Sequence, residues 1–177
     1  MKNDITALLA ADHALLTELA TDLHAAPHPA TARLLFRHFA AALGGHLTGV
    51  RKVVYPSLKA VGWKDVPSDL LLGHAQLTHA FAELLTLTHD SGEFADGLAD
   101  LLEGTAQMIE QERTQLLPLL DQHLDASQRL GLHLEAAPYF AHTQADPHRL
   151  RLHATDWLEE ARLLLGAGDP LPSASAS

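Results

Sequence analysis

Four consecutive stretches of this chain repeat apolar residues at spacings of three and four, and that period commits each to a helix with one buried stripe. In the first, about residues 4–24, the stripe is Ile5, Leu8, Leu9, Leu15, Leu16, Leu19 and Leu23, with Asp4 placed to cap the N-terminus. After the break Pro27-His28-Pro29, a second stretch at about 31–58 carries Leu35, Phe39, Ala42, Leu43, Val50, Val53 and Val54 on one side. Pro56 near its end predicts a bend or a stop. A third, about 68–88, follows a connector ending in Pro67, takes Ser68 as its N-cap and aligns Leu71, Leu77, Phe81, Leu84 and Leu85. The fourth, about 93–120, aligns Phe94, Leu98, Leu101, Leu102, Met108 and Leu116, with Pro118 in a frayed last turn. Ala and Leu dominate the 47% hydrophobic fraction and aromatic residues make up only 5%, a mix that favours helix over strand.

Long helices joined by short connections become antiparallel neighbours, so the expected fold is all-α: an up-down-up-down four-helix bundle over residues 1–120. Residues 121–166 then form a C-terminal helical extension packed on the bundle. It comprises a short helix at about 121–136, a loop at 138–147 and a last helix at about 149–165, whose stripe Leu150, Trp157, Ala161 and Leu164 needs either the bundle or a second subunit. A homodimer is therefore one expected assembly. Residues 167–177 carry too little apolar surface to offset the entropy of ordering and are expected to be disordered.

The absence of cysteine excludes disulfides, thiolate metal sites and thiol chemistry. A net charge of −10 argues against nucleic acid or an anionic membrane as partner, because phosphate binding needs clustered Lys and Arg. No uncharged run approaches the ~18 residues needed to span a bilayer. The opening Met1-Lys2-Asn3-Asp4, with Asp12 and His13 breaking the apolar run that follows, is too polar for a signal-peptide core, so a cytoplasmic location is expected.

Helical periodicity also forces a few polar residues inward, where a charge must be paired, neutralised or bound to metal. His13 stands four after Leu9 and three before Leu16; His46 stands seven after Phe39 and four before Val50. His74 stands three after Leu71 and three before Leu77, and Glu112 four after Met108 and four before Leu116. Each of the four helices thus delivers one potential ligand to the seam, the way bundle proteins build metal sites. The plainer reading is that each imidazole is a hydrogen-bonded core residue. The other ten of the 13 histidines fit neither the stripes nor a metal spacing: His24, His28, His38, His79, His89 and His123 read as surface residues, as do His133, His142, His148 and His153.

Over about residues 4–120 the chain resembles the hemerythrin-like, or HHE cation-binding, domains. The resemblance rests on Ala11-Asp12-His13, on the run from His46 to Pro56, on Gly73-His74 and on the run from Met108 to Pro118, where Leu116-Leu117-Pro118 keeps the family's aliphatic-aliphatic-Pro ending and Val54-Tyr55-Pro56 keeps it with an aromatic residue in the middle. It implies a four-helix bundle around a non-haem di-iron centre, used for oxygen binding, oxygen or iron sensing, or peroxide-related chemistry. Two positions depart from the pattern. Val50 stands where the family's second helix supplies a bridging Glu, and Met108 where its fourth helix supplies a His.

With those two ligands replaced by apolar side chains, a full di-iron centre is not expected. The expectation is at most one metal ion, Fe or Zn, held by His13, His46, His74 and Glu112, in a binding or sensory domain for oxygen, NO or iron whose partner is the metal or a small diatomic ligand. A metal-free bundle acting through protein–protein contact or dimerisation is one alternative, and a non-haem iron redox enzyme is another. For the enzyme no substrate-orienting acid, base or cleft is legible, and no catalytic residue is assigned.

Overall fold

The computed structural model describes residues 4–62 and 67–141. Helix α1 (Ile5–His24) starts where Asp4 caps it, the Asp4 Oδ1 accepting from the Thr6 N–H at 2.9 Å. Helix α2 (Pro29–Gly49) opens on a proline, whose missing N–H is harmless in a first turn. It passes without a break into a π-helical turn, Val50–Val54, and then into α3 (Tyr55–Ala60). Pro56 therefore does not stop the helix where the sequence suggested. In the π turn the Tyr55 N–H reaches back five residues to the Val50 carbonyl. The ladder skips a carbonyl just ahead of a residue that cannot donate and whose ring would crowd the carbonyl four before it.

Helix α4 (Ser68–Leu84) has Pro67 in the capping position and no side-chain cap, so Ser68 is its first helical residue and not its N-cap. Helix α5 (Gly92–Gln111) is capped by Ser91, whose Oγ accepts from the Phe94 N–H at 3.1 Å. A second π turn, Glu112–Leu116, carries the chain past Pro118 into α6 (Leu117–His123), so the fourth helical stretch runs beyond the expected 120 by the same device as the second. Helix α7 (Ala126–Phe140) begins with a capping box between Asp125 and Gln128. It extends past the expected end at 136 because Pro138 sits within the helix, which makes residues 138–140 helical rather than loop. The expected last helix at 149–165, the tail at 167–177, and His142, His148 and His153 lie outside the described residues.

The described residues form helices and their connections with no strand, the all-α bundle anticipated from the periodicity. Helix α1 packs on α2 and α4 on α5, α1 also touches α5 and α6, and α7 lies across α1, α2 and the first π turn. The core divides into two apolar clusters. One holds Leu16, Leu23, Phe36, Phe39, Leu43, Leu77, Phe81, Leu101 and Met108; the other holds Ile5, Leu9, Val50, Val54, Leu58, Leu70, Leu116 and Leu120.

Each main helix crosses from one cluster to the other, and the crossing always falls at or beside buried polar side chains. On α1 it lies at Asp12 and His13, between Leu9 and Leu16; on α2 near His46, between Leu43 and Val50. On α4 it lies at His74, between Leu70 and Leu77, and on the fourth stretch at Glu112, between Met108 and Leu116. A single polar layer therefore separates two hydrophobic halves. Among the described residues no helix is long and apolar enough to cross a membrane.

Candidate metal centre

Glu112 is the hub of that layer and is fully buried. It opens the second π turn, so its side chain leaves the helix where the backbone is widest. Its Oε2 accepts a hydrogen bond from His13 Nε2 at 2.7 Å, and its Oε1 accepts one from His74 Nε2 at 2.7 Å. His46 is tethered from the other side: its Nδ1–H donates to Asp12 Oδ2 at 2.7 Å. That bond fixes the ring and leaves Nε2 turned toward Glu112, 3.3 Å from Oε2. The approach is off the line of a hydrogen bond, and Nε2, in a side chain with no exposure, has no hydrogen-bond partner among the described residues.

Ring packing closes the layer. The His46 ring lies 5.5 Å from that of His13 and 5.9 Å from that of His74, centroid to centroid. Phe140, at the end of α7, sets its ring perpendicular to His46 at 5.9 Å, and Tyr55 meets His74 edge-on at 5.4 Å. Gly49 is what lets α7 approach so closely, since a Cβ there would stand 2.6 Å from the Phe140 ring.

The electrostatics follow from two carboxylates and three imidazoles sharing a buried layer. Burial alone would push the His46 imidazolium toward deprotonation, but the negative Glu112 and the Asp12 hydrogen bond outweigh it and hold its pKa up to about 10. Burial would likewise raise Glu112, yet the charge of His46 and the hydrogen bonds from His13 and His74 hold its carboxyl well below the usual range. Burial, reinforced by the Glu112 charge, pushes the Tyr55 phenol above its ordinary value.

All four residues singled out from periodicity thus meet in one layer. His13, His46 and Glu112 form the tight group, offering ligand atoms that all lie within 4.8 Å of one another. His74 joins through the other carboxylate oxygen. Periodicity held a signal for Asp12 as well: it falls seven after Ile5, three after Leu9 and four before Leu16, the same stripe as His13. Tyr55 carried no such signal, because only the π turn fixes its direction. His24, His28, His38 and His123 are exposed as expected, whereas His89 is half-buried against Phe36 and Phe94, with centroids at 5.3 and 4.5 Å.

The donor set suits one cation. Two nitrogens and a carboxylate converge, one nitrogen is buried without a hydrogen-bond partner among the described residues, and the ring bearing it is oriented by an outer carboxylate, the usual arrangement behind a metal-bound histidine. A divalent ion would also balance the two negative charges of Asp12 and Glu112. Val50 and Met108, buried at the matching positions of the two helices, offer no hard donor for a second ion.

A family model described as "Hemerythrin HHE cation binding domain" matches residues 4–120, more than half of the chain. No curated protein matches it, and no solved structure does.

Proposed function

Because the chain belongs to the hemerythrin HHE cation-binding domain family, we propose that it is a one-metal member of that family, a binding or sensory domain that holds a single iron or zinc ion. His13 Nε2, His46 Nε2 and a Glu112 oxygen would supply the ligands, Asp12 would orient His46, and His74 would close the site for zinc or stand beside an open position for iron. When bound, iron at a two-histidine, one-carboxylate site takes up small ligands such as oxygen or NO. The chain's own part is to keep the layer dry between two apolar clusters and to hold the imidazoles rigidly.

The observation that carries this reading is the His46 Nε2 atom, buried and without a hydrogen-bond partner among the described residues while its Nδ1 is fixed by Asp12. A group desolvated in this way costs free energy unless something binds it. A second reading has its own support. His13 and His74 each hydrogen-bond Glu112 at 2.7 Å, so much of the network closes without a metal. That favours a metal-free bundle that works through contact with protein partners. Elemental analysis of untagged protein separates the two: about one iron or zinc per chain, lost in His13→Ala and Glu112→Ala, supports the metal reading, and a wild type without metal supports the other.

A further inference from the structure

Two ring-borne polar atoms of the site layer are buried without hydrogen-bond partners among the described residues. One is His46 Nε2, which faces Glu112; the other is the Tyr55 hydroxyl. Tyr55 is only 5% exposed, and its ring edge packs on His74, the imidazole that binds Glu112. It is the first residue of α3, and its N–H closes the π turn on the Val50 carbonyl, so the device that turns the second helix past Pro56 also fixes where this side chain emerges. The side chains one turn away on its own helix, Arg51, Lys52, Leu58 and Lys59, carry no acceptor. A buried phenol in such surroundings lacks a partner that the described residues do not provide.

Open space lies beside two of the layer's residues in the chain. A groove of about 200 Å³ between α4 and α5 is lined by Gly73, Leu77, Gly104, Met108 and Gln111. Gly73 precedes His74 in the chain and Gln111 precedes Glu112.

We infer that the Tyr55 hydroxyl is the hydrogen-bond donor for a small anionic or diatomic ligand held at the metal, and so sets which ligands the site retains. The inference rests on the one-metal reading above. It makes Tyr55 a ligand-binding residue rather than a metal ligand, selecting small molecules with an acceptor atom beyond the one that meets the metal.

The test uses azide as probe on iron-loaded protein, wild type against Tyr55→Phe, with the iron-to-chain ratio and the apparent azide Kd from visible absorption both measured. The expected result is an equal iron ratio and azide binding weakened about tenfold in Tyr55→Phe, the size of one lost hydrogen bond to an anion. The metal-free Tyr55→Phe protein should melt no lower than the wild type, because a hydroxyl without a partner contributes nothing to hold. Equal azide affinities overturn the inference, as does a lower melting temperature for the metal-free variant. A phenolate-to-iron absorption band in the wild type, lost in the variant together with iron, would overturn it by making Tyr55 a metal ligand. A wild type that takes up no iron overturns the metal reading itself, and the iron ratio tells that outcome apart from the others.

Discussion

The two π turns, Val50–Val54 and Glu112–Leu116, share a backbone and differ in the side chain that opens them. Each runs for five residues, each is closed by an N–H bonding to the carbonyl five before it, and each is followed by a residue and then proline. Both opening side chains are completely buried. One is a valine and the other the carboxylate at the centre of the polar layer. The π turn is therefore not a consequence of the carboxylate; the proline two residues beyond it accounts for it in both helices. What distinguishes the halves is chemistry placed on equivalent scaffolds: His46 and Glu112 come from opposite helices, and their counterparts Met108 and Val50 fill space.

The most damaging change should be at the turn that carries the charge. Glu112→Ala leaves His13 and His74 without their shared acceptor and His46 without the negative charge beside it, and removing one partner of a buried charged cluster costs about 3–5 kcal/mol. Denaturant unfolding of the metal-free protein should show a loss of that order, with no metal retained. An unchanged midpoint would mean that Glu112 is not the hub. The converse experiment equips the empty turn. Val50→Glu with Met108→His supplies a carboxylate and an imidazole at the matching positions, and metal content should rise from about one to about two ions per chain. No increase would show that Val50 and Glu112, for all their equivalent backbones, do not face a common site.

A subtler change acts behind the ligand-bearing half. Asp12→Asn keeps the size of the side chain but weakens its hold on His46 Nδ1–H, and loss of such an outer partner lowers metal affinity by about 10–100-fold. Competition against a chelator measures it; an unaltered affinity would reduce the Asp12–His46 bond to a packing detail.

The gentlest probe is pH, applied to metal-free protein. His46 is raised from 6.5 to about 10 in the folded state, so its contribution to stability is complete below about 6.5 and is lost as pH rises through about 10. Glu112 is depressed below its ordinary 4.5, so its contribution is present above 4.5 and is lost as pH falls through the folded value. Melting temperature should therefore be highest between about 4.5 and 6.5, and the alkaline decline should flatten in Glu112→Ala. An alkaline limb that persists in the variant would assign it to another group.

Much of this was legible in the sequence because helical period and burial are the same information. The stripes that gave four helices also gave His13, His46, His74 and Glu112, since a polar residue three or four positions from two core leucines has nowhere else to point. The π turns were not legible: nothing in Val-Arg-Lys-Val-Val or Glu-Arg-Thr-Gln-Leu departs from an ordinary helix, and proline reads as a terminator unless one knows the ladder has already skipped a carbonyl. The same rule hid the reach of α7, where Pro138 suggested a loop that begins only beyond Phe140 within the described residues. Asp12 lay on the stripe of α1 but beside His13, where a charge reads as an interruption of the apolar run. Its role as the anchor of His46 depends on a partner 34 residues away.

The central claim is that one half of a paired site is kept and the other is filled with valine and methionine. Metal content per chain, measured on untagged protein, tests it most directly. About one ion per chain, lost when Glu112 is removed, is the result expected; two ions per chain in the wild type, or none, would contradict it.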